Sequence, residues 1–93
     1  TLGSALVKDI FRSSKFGTIS GCEVQDGLIK RNAFARIIRN QKSIYEGKIE
    51  SLRRFSDSVN EIKSGLECGI GIKGYDDIKV GDIIEAYQIV DNT

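Results

Sequence analysis

With 93 residues the chain has room for one small domain, and 14 Lys or Arg against 13 Asp or Glu leave a net charge of only +1. There is no His and there are only two Cys, which excludes Ser-His-Asp and Cys-His nucleophilic sets and any tetrahedral zinc site. The apolar fraction of 40% suits one modest core, no apolar run approaches the roughly 18 residues that span a bilayer, and TLGSALVKD lacks a signal or transit pattern. The expectation is a soluble, cytoplasmic, monomeric domain (1–93) without a membrane contact.

Nineteen Ile or Val against five Leu, ten Gly, no Pro and no sustained helical period predict an all-β chain with short turns, a small closed antiparallel β-barrel. The expected strands are 5–11, 17–26, 33–40, 43–52, 59–63, 66–73 and 83–90, with Gly, Asn, Asp and Ser between them. In the first, Leu6 with Ile10 and Val7 with Phe11 also fit a helical turn. In the second, Ile19 and Val24 are an odd number apart, so a β-bulge at Gly21-Cys22 is inferred to bring both inside. The fourth ends on Arg53-Arg54-Phe55, a phosphate-gripping pattern in one reading and a solvated loop in the other. In the sixth, Leu66, Cys68, Ile70 and Ile72 alternate, so Glu67, Gly69 and Gly71 share the opposite face. That face is either a shallow ligand slot or a strand-coiling device. Asp76, Asp77 and Asp82 lack the spacing of a calcium loop.

Charge is distributed unevenly. Residues 1–54 carry eleven cations against five anions, and residues 55–93 three against eight. A fold that separates the halves owns a basic patch drawing on Arg12, Lys15, Lys30, Arg31 and Lys48, whereas interleaved strands mix the charges into an ordinary surface. Cys22 and Cys68, far apart and outside any CxxC motif, read as reduced thiols, with a single disulfide still compatible. No base near either supports a thiol-dependent enzyme.

The segments GTISGC at 17–22, GLIKR at 27–31, YEGKIESLRRF at 45–55, GLECGIGI at 65–72 and IKVGDIIE at 78–85 together are specific. They resemble the C-terminal domain of bacterial translation initiation factor two, over residues 5 to 88. The resemblance implies a barrel like the second domain of translational GTPases, binding the formylmethionylated 3′ acceptor end of initiator tRNA and meeting the ribosome through the parent factor. It implies Cys22, Arg53, Arg54, Phe55, Glu67, Cys68 and Gly69 as binding residues, with Lys8 more distant. The chain departs from the pattern at Arg53, where Lys is common, at Phe55, where Tyr occurs, and at Ser56 and Ser58. No glycine-rich phosphate loop is present, so neither catalysis, a cofactor nor a metal is expected here.

Such a ligand asks for stacking, phosphate contacts and an amino-acid pocket. Formylation replaces an ammonium by a neutral amide, so an apolar pocket at Cys22 penalises the unformylated form through desolvation. In this scheme Arg53 or Arg54 neutralises Glu67, which then accepts the formamide N–H. Cys22, re-aimed by the bulge, is expected to be accessible and Cys68 buried. The rival reading is a protein-interaction barrel whose acidic half docks a neighbouring domain or ribosomal protein.

Overall fold

The structure is a computed structural model that describes residues 2–14, 17–55 and 57–88. Its strands are β1 (Gly3–Ser13), β2 (Gly17–Lys30), β3 (Phe34–Arg39), β4 (Lys42–Arg54), β5 (Asp57–Ser58), β6 (Glu61–Lys63), β7 (Glu67–Ile72) and β8 (Ile83–Tyr87). Six of them pair antiparallel in the order β1-β8-β3-β4-β7-β2, and β1 pairs β2 to close the barrel. The expected all-β barrel is therefore observed. β6 adds to the far end of β2, and the two-residue β5 folds back on β4. All seven expected segments are strands, and residues 89 and 90 of the last lie outside the described residues, as do Lys15 and Ser56. The helical alternative for the first segment fails because both edges of β1 are paired, to β2 and to β8.

Alternation fills the interior with Val7, Val24, Ile29, Ile37, Ile49, Leu52, Ile70 and Ile84, each at most 1% exposed. In β7 the inward set is Cys68, Ile70 and Ile72, as alternation requires. Bulges explain where alternation slips, but the inferred bulge at Gly21-Cys22 is not there. The β2 register against β7 runs unbroken through Ser20, Gly21, Cys22 and Glu23. Ser20, Cys22 and Val24 point inward, and Ile19 points out. The extra residues are Lys8 in β1, facing the Gly21-Cys22 step, and Gln25 in β2. A one-residue insertion reverses the side-chain parity beyond it. Gln25 thus puts Val24 and Ile29 on one face, five residues apart, and an extra Glu50 in β4 does the same for Ile49 and Leu52.

The strands interleave the two differently charged halves. Arg36 of β3 meets Glu85 of β8 at 2.6 Å and Glu46 of β4 at 3.1 Å. Arg39 holds Asp82 with two bonds, Nε to Oδ1 at 2.8 Å and Nη2 to Oδ2 at 2.7 Å, and the Lys79 N–H donates to the same carboxylate at 2.9 Å. Asp82 is 2% exposed, and this pair ties the segment before β8 to the end of β3. Burial alone would raise its carboxyl pKa. The Arg39 and Lys79 bonds outweigh burial and hold it below its ordinary 3.8.

Two stability measurements follow from this packing. Ile70→Ala removes a fully buried side chain and should cost about 2–5 kcal/mol by denaturant titration; Ile72→Ala should fall in the same range or slightly below. Asp82→Ala should cost about 2–3 kcal/mol, because it removes three bonds to a charged acceptor. A carboxyl with a lowered folded pKa stabilises above its unfolded pKa, and that contribution fades as pH falls through the folded value. The gap between the parent chain and Asp82→Ala should accordingly be full above about pH 5 and shrink below pH 4.

Candidate functional site

The register places three outward rows side by side across β1, β2, β7 and β4. The middle row runs Asp9, Gly21, Gly69, Arg53. Two side-chain-free positions are thus directly opposed, and the wall between Asp9 and Arg53 is bare backbone. One flanking row holds Phe11 opposite Ile19. The other holds Glu23 opposite Glu67. The result is an outside cleft of about 500 Å3 whose lining includes all eight residues expected from the resemblance: Lys8, Cys22, Arg53, Arg54, Phe55, Glu67, Cys68 and Gly69. They come from four strands and the turn that follows β4, lie up to 61 positions apart in sequence, and are gathered by the β4-β7-β2-β1 order.

Gly71 does not join them. An added Cβ there would meet Ser51 Oγ and, at 3.4 Å, Ile19 Cδ1, so these side chains already occupy the space. The glycine floor is Gly21 with Gly69 rather than Gly69 with Gly71. Both are tight as well as bare: a Cβ on Gly69 would sit 3.0 Å from Ile19 Cγ2, and one on Gly21 would sit 3.0 Å from Phe11 Cε2.

At the β4 end the chain reverses through Phe55, where Arg53 pairs Ser58 and Arg54 pairs Asp57. Phe55 has a φ of +58° and is 91% exposed. A bulky side chain in the left-handed region costs roughly 1–2 kcal/mol, and exposure of the ring forgoes its burial. The Arg54 guanidinium lies 5.3 Å from the ring centroid, a cation–π arrangement. The tip therefore offers an aromatic face and a positive charge to the outside of the cleft.

The cleft is not a uniform basic patch. Lys8, Arg53 and Arg54 are balanced by Asp9, Glu23 and Glu67 in its lining. Lys8 Nζ reaches Glu23 at 3.3 Å, which relieves the opposition of two carboxylates across β2 and β7. The expected pairing is not formed: among the described residues no ion pair joins Glu67 to Arg53 or Arg54, although the antiparallel register carries β4 past Gly69 toward the Glu67 end of β7.

Cys22 departs from expectation too, whereas Cys68 is buried and both thiols are free as expected. Cys22 and Cys68 are directly opposed, both unoxidised and both buried, at 2% and 7% exposed. Cys22 is thus the less accessible of the two, because the bulge that would have re-aimed it belongs to β1. Burial pushes the Cys22 thiol up to about 12, against the opposing effect of the Ser20 hydroxyl; the thiol itself donates to the Ser20 carbonyl at 3.5 Å. Burial pushes Cys68 up to about 11. Neither is a nucleophile at neutral pH.

Two cleft residues escaped the sequence reading. Phe11, 58% exposed, would share the inward parity of the buried Val7 in an unbroken strand; the extra residue at Lys8 turns it outward. Ile19 carried a visible signal, because its odd spacing from Val24 already placed it on the opposite face. No group of His, Cys, Asp or Glu among the described residues is arranged to hold a metal ion.

Residues 17–85 match the family model described as elongation factor Tu domain 2. A curated relative, translation initiation factor IF-2 of Proteus vulgaris, is 53% identical over 90 residues, covering 97% of this chain. The chain spans about a tenth of that relative's length.

The thiols give a direct test of the cleft's floor. In the folded chain at pH 8 both should alkylate far more slowly than in the denatured chain, with Cys22 no faster than Cys68. Rapid labelling of Cys22 alone would show that its side chain opens to the outside.

Proposed function

The chain belongs to the elongation factor Tu domain 2 family, and we propose that it is the C-terminal module of a bacterial-type translation initiation factor, binding the formylmethionyl 3′ end of initiator tRNA in the cleft of β1, β2, β7 and β4. The observation that carries this reading is the convergence of all eight expected residues on one outside cleft. The kinship with IF-2 over 97% of the chain supports the setting in initiation, with the ribosome reached through the parent factor in the cytoplasm and GTP hydrolysis left to another part of it.

Each wall has a role. The strained, exposed Phe55 with Arg54 beside it suits an unstacked terminal adenine and its phosphate, since aromatic stacking and a guanidinium recognise both without reading sequence. The bare floor of Gly21 and Gly69 admits the ester linkage close to the main chain. Phe11 and Ile19 form an apolar side for the amino-acid side chain, where a thioether is well received by an aromatic ring.

Discrimination for the formyl group is then a matter of desolvation. An ammonium brought down onto the glycine floor beside the apolar row loses water that a neutral formamide does not need. With Glu23 occupied by Lys8, Glu67 is left to accept the formamide N–H. It also attracts an ammonium, so the preference is the difference between those two effects. Because Arg54 is not paired with Glu67, its role is the phosphate.

Titration of the chain with formylated and unformylated initiator tRNA tests the reading. The formylated ligand should bind more tightly, with affinity falling steeply with salt, at a log-log slope of about 0.7 per phosphate contacted. Arg54→Ala should weaken both forms equally. A selective gain for the unformylated form would restore the pairing of Arg54 with Glu67, and salt-insensitive or absent binding would favour a barrel that docks a protein.

A further inference from the structure

A second pocket, of about 460 Å3, lies beside the middle of β4 and shares no residue with the cleft. Lys48 and Arg54 are six residues apart, about 20 Å along a strand. The pocket is lined by Arg31, Asn32, Ala33, Phe34, Lys48 and Gln88, without a carboxylate. Lys48 and Phe34 of this lining belong to an outward row in which Lys48 of β4 opposes Phe34 of β3, which opposes Tyr87 of β8. Lys48 Nζ stands 5.6 Å from the Phe34 ring, and that ring stacks on Tyr87 at 5.8 Å. The Arg31 guanidinium is steadied by Nη1 donating to Ser58 Oγ at 3.1 Å.

Several cations, Lys42, Lys63 and Lys73 among them, meet no carboxylate within 4.0 Å among the described residues, and Arg31 and Lys48 are distinguished by lining one recess together. Elsewhere Lys8, Arg36, Arg39 and Lys79 each meet a carboxylate within 4.0 Å. Arg31 and Lys48 meet none among the described residues, although Arg36, one outward row away, takes two. Two uncompensated cations converge on one recess with a planar apolar wall and the amides of Asn32 and Gln88. A nucleotide is an anion with a planar, hydrogen-bonding base and a sugar that packs on apolar surface, and it matches each of these groups. A carboxylate side chain uses only the charge.

We propose that this pocket binds the backbone of a single-stranded RNA segment, at a site independent of the aminoacyl cleft, with Arg31 and Lys48 each contacting a phosphate. The proposal does not rest on the reading of the cleft, and its test uses RNA that carries no amino acid.

The test is anisotropy titration of the chain with a fluorescent, non-aminoacylated RNA octamer over a range of salt. The parent chain and Arg54→Ala should both bind it. The double variant Arg31→Gln with Lys48→Gln, at exposed positions and with an unchanged melting midpoint, should bind more weakly and lose about 1.4 from the log-log salt slope, two phosphates at about 0.7 each. Parent-like affinity and slope in the double variant would overturn the proposal. So would displacement of the RNA by a polyglutamate octapeptide at equal concentration, which would assign the pocket to an acidic protein segment. Loss of RNA binding in Arg54→Ala alone would also overturn it, by placing all of the RNA in the cleft.

Discussion

A sheet closed on itself leaves each strand one inside and one outside, and in a barrel of six strands the inside is filled by its own side chains. Closure here depends on the long β1–β2 pairing, and β2 also carries β7 and β6 on its other edge. Once Ser20, Cys22 and Val24 are committed to the interior, Ile19, Gly21 and Glu23 have no choice of face. The interior has no room for a ligand, so recognition must be built on the outer wall. A β-wall offers a recess only where side chains are missing. Gly21 and Gly69 supply that by standing opposite each other between an apolar row and an acidic one.

The bulge at Lys8 is the second element of this design. It lets Val7 stay in the core while turning Phe11 outward over Gly21, and it leaves Lys8 positioned to neutralise Glu23. Strain at the other end serves the same site: Phe55 holds a left-handed backbone and an almost fully exposed ring at the tip between β4 and β5. Neither feature improves packing. The Phe55 backbone costs stability, and both features shape the cleft.

Much of this was legible in the sequence. The alternation from Leu66 to Ile72 gave the faces of β7 directly, and turn residues marked every major strand. Parity failed wherever a strand gained one residue, because nothing in the residue types distinguishes Lys8 or Gln25 as inserted; the insertion shows only in the pairing. That one uncertainty misplaced the bulge, exposed Cys22 on paper and hid Phe11. The charge runs were visible too, but which cations stay uncompensated was not. Arg36 and Arg39 look no different in sequence from Arg31 and Lys48, and only the strand order brings Glu85 and Asp82 to the first two.

In the proposed complex the aminoacyl end sits on the floor of Gly21 and Gly69. The most direct measurement is backbone amide chemical-shift mapping of the chain with a short 3′-formylmethionyl oligonucleotide ending in adenosine. The amides of Gly21, Glu67, Gly69 and Arg53 through Phe55 should shift together and saturate at one affinity. Shifts that leave Gly21 and Gly69 unmoved while clustering on other strands would place the ligand elsewhere.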